Sequence, residues 1–299
     1  MRIPWKAWSG WPLTATAFYG DEQGNMEKDS TLIDVEQDSQ RRFGGVERLY
    51  GNQVLARFAR TKVAVVGVGG VGSWVAEALV RTGFECIRLV DLDHIAPSNT
   101  NRQLHALNGN FGKSKVLAMR ERMLAINPGA SIDVIDDFLD PTNVDRILDA
   151  CDAVIDCVDQ VRAKAAMAAW ARHHHRHIVV CGGAGGRTDP ARIRSDDLAR
   201  TRGDALLASV RNCLRREYGF PAGQTRESPR FGVIAVFSDE DMVRTPACDT
   251  DPAPGSPLAC GGFGSAVTVT ATMGFLAAAR LMDELQKIDG GQPGVVSGA

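Results

Sequence analysis

Short runs of aliphatic and β-branched residues alternate along this chain with longer stretches whose apolar positions recur every three or four residues. The runs at 62–66 (KVAVV), 87–90, 131–135, 153–157 and 177–181 each have the length of a strand. Between them, 73–81, 113–126, 145–150 and 162–173 carry helical spacing, and the second of these is halted by Asn127, Pro128 and Gly129. Strands that are apolar throughout, separated by helices, predict a parallel sheet covered on both faces, because a strand buried on one face alternates apolar with polar. Ahead of this block, residues 41–60 read as a basic lead-in followed by a short amphipathic helix.

The alternation is lost after residue 181. The segment GGAGGRTDP predicts a glycine-rich loop, 193–218 a strongly charged helical region and 231–237 a strand. Residues 221–230 and 245–262, rich in Pro, Gly and Ser, predict flexible loops. The stretch 264–282 is long enough for a membrane span, but its Ser, Thr and Gly content weakens it, and a core helix lying on the sheet is expected instead. The expected organisation is a disordered extension over 1–39, a catalytic domain over 40–285 with 187–262 as a substrate-facing insertion, and a flexible tail over 286–299.

Composition excludes little. With 299 residues, 44% of them hydrophobic, an ordinary globular core can form. A net charge of −2 gives no global attraction to nucleic acid, so DNA is not an expected partner and RNA contact requires a local patch. Seven cysteines occur singly, without a CxxC pair; this suits reduced cytoplasmic thiols and argues against a four-thiolate zinc. Trp5, Trp8 and Trp11 lie among Pro, Gly and Thr without a continuous apolar core, so no signal peptide is expected, and Met26 opens a more ordinary acidic stretch.

The chemistry begins at residue 67. Gly67, Gly69 and Gly72 form GxGxxG between a strand and a helix, where glycine lets the backbone approach phosphates and the helix start offers N–H groups to their charge. The fold class is therefore α/β, a Rossmann-like doubly wound and mainly parallel sheet with helices on both faces and a mixed C-terminal extension. Asp91, nineteen residues beyond Gly72, ends the second strand and is placed to accept from ribose hydroxyls. To this point a nicotinamide dehydrogenase fits equally well. Asp93, Asn99, Asn101, Arg102 and Gln103 then crowd one loop, with Lys115 downstream in GKSK. Attack at the α-phosphate of a triphosphate needs such cations near developing negative charge. Asp156 and Asp159 close the fourth strand, where open α/β sheets bind ligands and a carboxylate can hold Mg²⁺.

GVGGVG, LVDLDHIAPSNTNRQ, GKSK and VIDCVDQ together resemble the ubiquitin-activating-enzyme-like superfamily. RRFGGVERLYG, NTNRQLHAL, DDF, CGGAGGRTDP and GFGSAVTVTATMGF resemble more closely the tRNA threonylcarbamoyladenosine dehydratase family, over roughly 40–285. The resemblance implies ATP and Mg²⁺ as cofactors, with Gly67, Gly69, Gly70, Gly72, Asp91, Asp93 and Asn99 binding the nucleotide. It also implies that Arg102 and Lys115 contact phosphates, Asp159 binds the metal, and these last three form the catalytic set. The implied reaction is ATP-dependent cyclisation of N6-threonylcarbamoyladenosine at position 37 of tRNA. A cytoplasmic homodimer and a link to a cysteine desulfurase with its sulfur acceptor are implied as well.

The alternatives are an adenylyltransferase acting on the C-terminus of a ubiquitin-like sulfur carrier and a nucleotide-sensing protein without turnover. Carrier activators reach a neighbouring subunit's ATP with an N-terminal arginine; Gly45 stands at that position here, leaving Arg42 or Arg48 as substitutes. For tRNA, ten arginines between Arg187 and Arg230 face six acidic residues, a local excess of four positive charges, and Arg211, Arg215 and Arg216 are expected at RNA phosphates. His173, His174, His175 and His177 read as cap or surface residues, not a metal site, and Cys157 and Cys181 as small buried residues.

Overall fold

The computed structural model describes residues 35–223, 229–242 and 264–287. Expectations for 1–34 (with Trp5, Trp8, Trp11 and Met26), for Arg226 and Glu227, for 243–263 (with Cys248 and Cys260) and for 288–299 lie outside the described residues. The described strands form one sheet in the order β3-β2-β1-β4-β5-β7-β6. Five come from the predicted runs: β1 Val63–Val66, β2 Cys86–Val90, β3 Ser131–Ile135, β4 Ala153–Asp156 and β5 His177–Cys181. All of these are parallel, as is β7 (Ile234–Ser238) to β5, while β6 (Ile193–Asp197) runs antiparallel to β7 at the edge.

Alternate strand residues feed two cores. On one face Val63, Val65, Ile87 and Leu89 meet α2 (Asn52–Arg60), α3 (Gly72–Arg81), α4 (Lys115–Ile126) and α8 (Val267–Lys287), which bury Phe58, Leu79, Met119 and Met273. On the other, Ala64, Val66, Val154 and Val180 meet α5 (Val144–Leu148), α6 (Val161–His173) and α7 (Ala205–Glu217), through Ile147, Met167, Leu207 and Leu214. Strand order reverses between β1 and β4, which opens a crevice at their carboxyl ends. Val66 is in register with both Val90 and Asp156, so Gly67, Asp91 and Cys157 leave the sheet together at that crevice.

The apolar 264–282 stretch is the core helix expected. α8 lies so close to α3 that a Cβ on Gly274 would stand 2.7 Å from the Val71 carbonyl oxygen. Among the described residues no helix is long and apolar enough to cross a membrane.

Several boundaries differ from those expected. The 41–60 segment is two helices, since α1 spans Val35–Tyr50 and Gly51, at φ 84°, breaks it from α2. α1 thus begins inside the supposed 1–39 extension, and α8 runs into the supposed tail. The charged region 193–218 is not a single helix: it opens with edge strand β6, turns through a 3₁₀ segment at Leu198–Arg200, and only then enters α7. An edge strand tolerates charge because one side of it meets solvent, so composition masked the alternation of inward Ile193 with outward Arg194. The strand expected from 231 starts at Ile234, because Asp197 accepts from the amides of Phe231 and Gly232 and holds them in a turn.

Candidate functional site

The glycine loop is built by exclusion of side chains. Gly67 sits at φ 86°, and a Cβ there would lie 2.9 Å from the carbonyl carbon of Cys157. At Gly72 a Cβ would fall 1.9 Å from the Gly67 carbonyl oxygen. Those two glycines permit the turn itself. Gly69 and Gly70 have ordinary φ and line the approach, with only Gln103 near the first and the Arg102 stem 3.2 Å from a Cβ on the second. The start of α3 has no side-chain cap, but the amides of Ser73 and Trp74 already donate to Gly69 O and Val71 O; the amides left open to an anion are those of the loop from Gly69 to Gly72, which meet no acceptor among the described residues.

Two acids and a lysine gather beside this loop. Asp91 accepts from the amides of Val68 (2.6 Å) and Asp93 (2.9 Å), which fixes its carboxylate at the edge of the loop. Lys115, the first residue of α4 and 5% exposed, reaches Asp93 at 2.6 Å and lies 3.8 Å from Asp91. Burial raises the Asp91 pKa above the usual carboxylate range, and Lys115 opposes that shift. His105 is buried nearby with neither ring nitrogen partnered, and burial, followed by Lys115, brings its pKa down to about 4.

Arg102 lies against Gly70. Its guanidinium donates to Ser98 O and Asn101 Oδ1, both at 2.9 Å, and its carbonyl accepts from the Trp74 indole at 3.0 Å. Asn99 Oδ1 is occupied by the Ala96 amide at 3.0 Å. Asn101 ties the loop to the start of α8 through Ser265 O. Asp159, two residues before α6, is exposed and accepts no hydrogen bond among the described residues.

Asp156 ends the fourth strand as expected, but its carboxylate is not open to a ligand there. It is fully buried and paired with Lys164 at 3.0 Å, because the first turns of α6 fold back over the end of β4. Burial raises its pKa; the lysine works against that. Cys157 and Cys181 lie with their sulfurs 3.8 Å apart, and their mutual contact together with burial pushes the Cys157 thiol well up, away from thiolate reactivity.

Residues 44–294 match the model of the ThiF family. The chain belongs to the ThiF family. It is 42% identical over 253 residues to the tRNA threonylcarbamoyladenosine dehydratase of Haemophilus influenzae, covering 83% of this chain and 94% of that one. Two crystal structures of Escherichia coli tRNA N6-threonylcarbamoyladenosine dehydratase, one with ATP and one with AMP, superpose with a TM-score of 0.75. Their identities are 41% and 42%, and each covers 85% of this chain and 97% of the other.

Within this ThiF-family fold the other expected residues are scattered. Arg42 on α1 pairs with Asp38 at 2.6 Å and donates to Ile126 O, while Arg48 is exposed. Of the three arginines assigned to RNA, Arg211 is half-buried and donates to Thr201. Arg215 donates to the carbonyls of Pro221 and Gly223 and stacks over Phe231. Only Arg216 of the three is mainly exposed, paired with Glu217, and it shares with Arg162, Ser209 and Asn212 a cleft of about 320 Å³ between α6 and α7. His174 bonds Trp170 O and stacks on its ring. Sequence reasoning missed Lys164 and His105; the first is an ordinary lysine in a helical pattern, and nothing local marks either.

Proposed function

We propose that this protein is an ATP-dependent dehydratase that cyclises N6-threonylcarbamoyladenosine at position 37 of tRNA by adenylating the threonyl carboxylate. The observation that carries the reading is 42% identity across 94% of a dehydratase of that name, on a chain whose own geometry supplies an open glycine loop with Asp91, Lys115 and Arg102 beside it. In the first step a threonyl carboxylate oxygen attacks the α-phosphorus of ATP and pyrophosphate leaves. In the second, a heteroatom of the carbamoyl group attacks the activated carbonyl, AMP departs and one proton is lost; the net change is loss of water from the nucleoside. Proximity within one substrate contributes about 7 kcal/mol or more, so no enzyme nucleophile is required.

The residues divide this work. The amides of the loop from Gly69 to Gly72 receive phosphate oxygens, and Asp91 accepts from ribose hydroxyls. Lys115 turns from Asp93 toward the phosphates, and Arg102 moves off Ser98 O to meet charge developing on the leaving group. Asp159 is exposed just past the end of β4 and accepts no hydrogen bond among the described residues, so its carboxylate is open to hold Mg²⁺ together with phosphate oxygens, a donor set that ion commonly uses. When bound, Mg²⁺ would neutralise phosphate charge. We further assign Arg216 to RNA phosphates, Arg42 or Arg48 of α1 to a second copy's nucleotide in a cytoplasmic homodimer, and a desulfurase-linked sulfur acceptor as a partner; light scattering tests the dimer.

The deciding experiment supplies ATP with either tRNA bearing threonylcarbamoyladenosine or a ubiquitin-like sulfur carrier. AMP and pyrophosphate released with the tRNA alone, together with a nucleoside lighter by one water in mass spectrometry, is expected. Release with the carrier alone would replace this reading with the adenylyltransferase, and release with neither would remove the enzyme.

A further inference from the structure

Three residues ahead of Asp159, a charged pair is sealed inside the protein. Asp156 ends β4 and Lys164 is the fourth residue of α6; both side chains are 0% exposed, with Nζ 3.0 Å from Oδ1. The pair's neighbours along the chain, Val154, Ala163, Ala165 and Met167, belong to the apolar core on that face of the sheet. The same Oδ1 accepts the Val158 amide at 3.1 Å, while Oδ2 faces no donor. The Val158 nitrogen and the Cys157 carbonyl are also the surface on which Gly67 lies, at 3.0 and 2.9 Å from a notional Cβ. One carboxylate oxygen therefore anchors the peptide that stands between the glycine loop and Asp159.

A buried ion pair is a weak source of stability, since desolvation opposes the attraction, and an apolar pair of the same volume would hold the β4–α6 junction as well. What an apolar pair lacks is an acceptor for the Val158 amide. Lys164 in turn offsets the Asp156 charge, so that the turn does not carry two bare carboxylates three residues apart. We infer that Asp156 and Lys164 are positioning residues: together they hold the 157–159 turn so that Asp159 faces the nucleotide's metal and the Gly67 turn keeps its footing. The inference rests on the assignment of Asp159 as the metal ligand.

The test compares Lys164→Met, Lys164→Arg, Asp156→Asn and Asp159→Asn by the Mg²⁺ concentration that half-saturates the ATP-dependent thermal shift. The kcat and KM for ATP with threonylcarbamoyladenosine-bearing tRNA are measured alongside. Asp159→Asn fixes the scale. Lys164→Met is expected to raise the Mg²⁺ requirement roughly tenfold, as loss of a group supporting a metal ligand does; Asp156→Asn, whose side-chain oxygen can still accept the Val158 amide, is expected to raise it less, and Lys164→Arg to return it to within about twofold. Where Lys164→Met does not fold, Asp156→Leu/Lys164→Met removes both buried charges and still deprives Val158 of its acceptor, so the same rise is expected. A lowered melting temperature with a wild-type Mg²⁺ requirement in the folded variants makes the pair structural only and overturns the inference. A wild-type requirement in Asp159→Asn overturns the metal assignment first, and the aim ascribed to the pair with it.

Discussion

An alanine at position 72 would place its Cβ 1.9 Å from the Gly67 carbonyl oxygen. Carbon and carbonyl oxygen approach ordinarily to about 3.3 Å, so one side must move by roughly 1.4 Å. Neither side is free to do so. Gly67 is held by its amide on Val90 O at 2.8 Å and leans on Cys157, while α3 is pressed by α8, with a Gly274 Cβ position 2.7 Å from Val71 O. The cost should lie at the upper end of overpacking, about 3 kcal/mol, which for a domain of this size lowers the melting temperature by roughly 6–12 °C. Gly69→Ala is the counterpart: its Cβ meets nothing nearer than Gln103 Nε2 at 3.9 Å, and its φ is ordinary. Its stability should stay within about 0.5 kcal/mol of wild type, but the methyl stands where phosphate oxygens approach. Wild type in ATP at a hundred times Kd gains about 2.7 kcal/mol, and both variants should lose most of that gain in unfolding curves recorded with and without ATP. A Gly72→Ala protein that melts like wild type and keeps its ATP shift would refute the loop geometry, and a full shift in Gly69→Ala would remove phosphate from the loop.

Three further outcomes are expected. His105 is neutral when folded, with a pKa of about 4, whereas in the unfolded chain it takes up a proton below about pH 6.5; stability therefore falls as pH drops from about 6.5 to 4, by about 3 kcal/mol in all. His105→Gln should flatten that part of the stability profile relative to wild type, and an unchanged slope would show that the imidazole is not buried. Lys115→Met should lower kcat/KM for ATP by about 10²–10³, measured as pyrophosphate release, because it removes a cation aimed at developing charge; a loss below tenfold would place Lys115 outside the chemistry. Arg216→Glu should weaken tRNA binding and reduce its salt slope by about one, while Arg211→Glu should chiefly destabilise the fold, since Arg211 is half-buried against Thr201. Equal effects on tRNA binding at the two positions would contradict that division.

The parts of the site that could be read from the chain are those whose chemistry is local. Gly67 to Gly72 and Asp91 each follow a strand, so periodicity puts them at the carboxyl ends of strands, and the same periodicity puts Lys115 at the start of a helix. The position of Asp159, exposed just past the end of β4, follows as soon as that strand is placed. Asp156 was misjudged because three residues decide nothing about direction along a turn: one carboxylate points into the core toward Lys164 and the other toward solvent. Counting charge between 187 and 230 likewise does not show that Arg216 is exposed while Arg211 directs a donor to Thr201 and Arg215 directs donors to the carbonyls of Pro221 and Gly223.

Patterning along the chain was sufficient for the class of fold, the five parallel strands β1 to β5 and the glycine loop, because burial in a covered sheet and a tight turn each impose a short-range composition. It was insufficient for the antiparallel edge strand β6, for the break between α1 and α2, and for the Asp156–Lys164 pair. Those depend on which surfaces meet across long separations: an edge strand is specified by its neighbour β7, and a buried charge by the partner that reaches it. Residue order bears on such contacts only through the packing of the whole sheet.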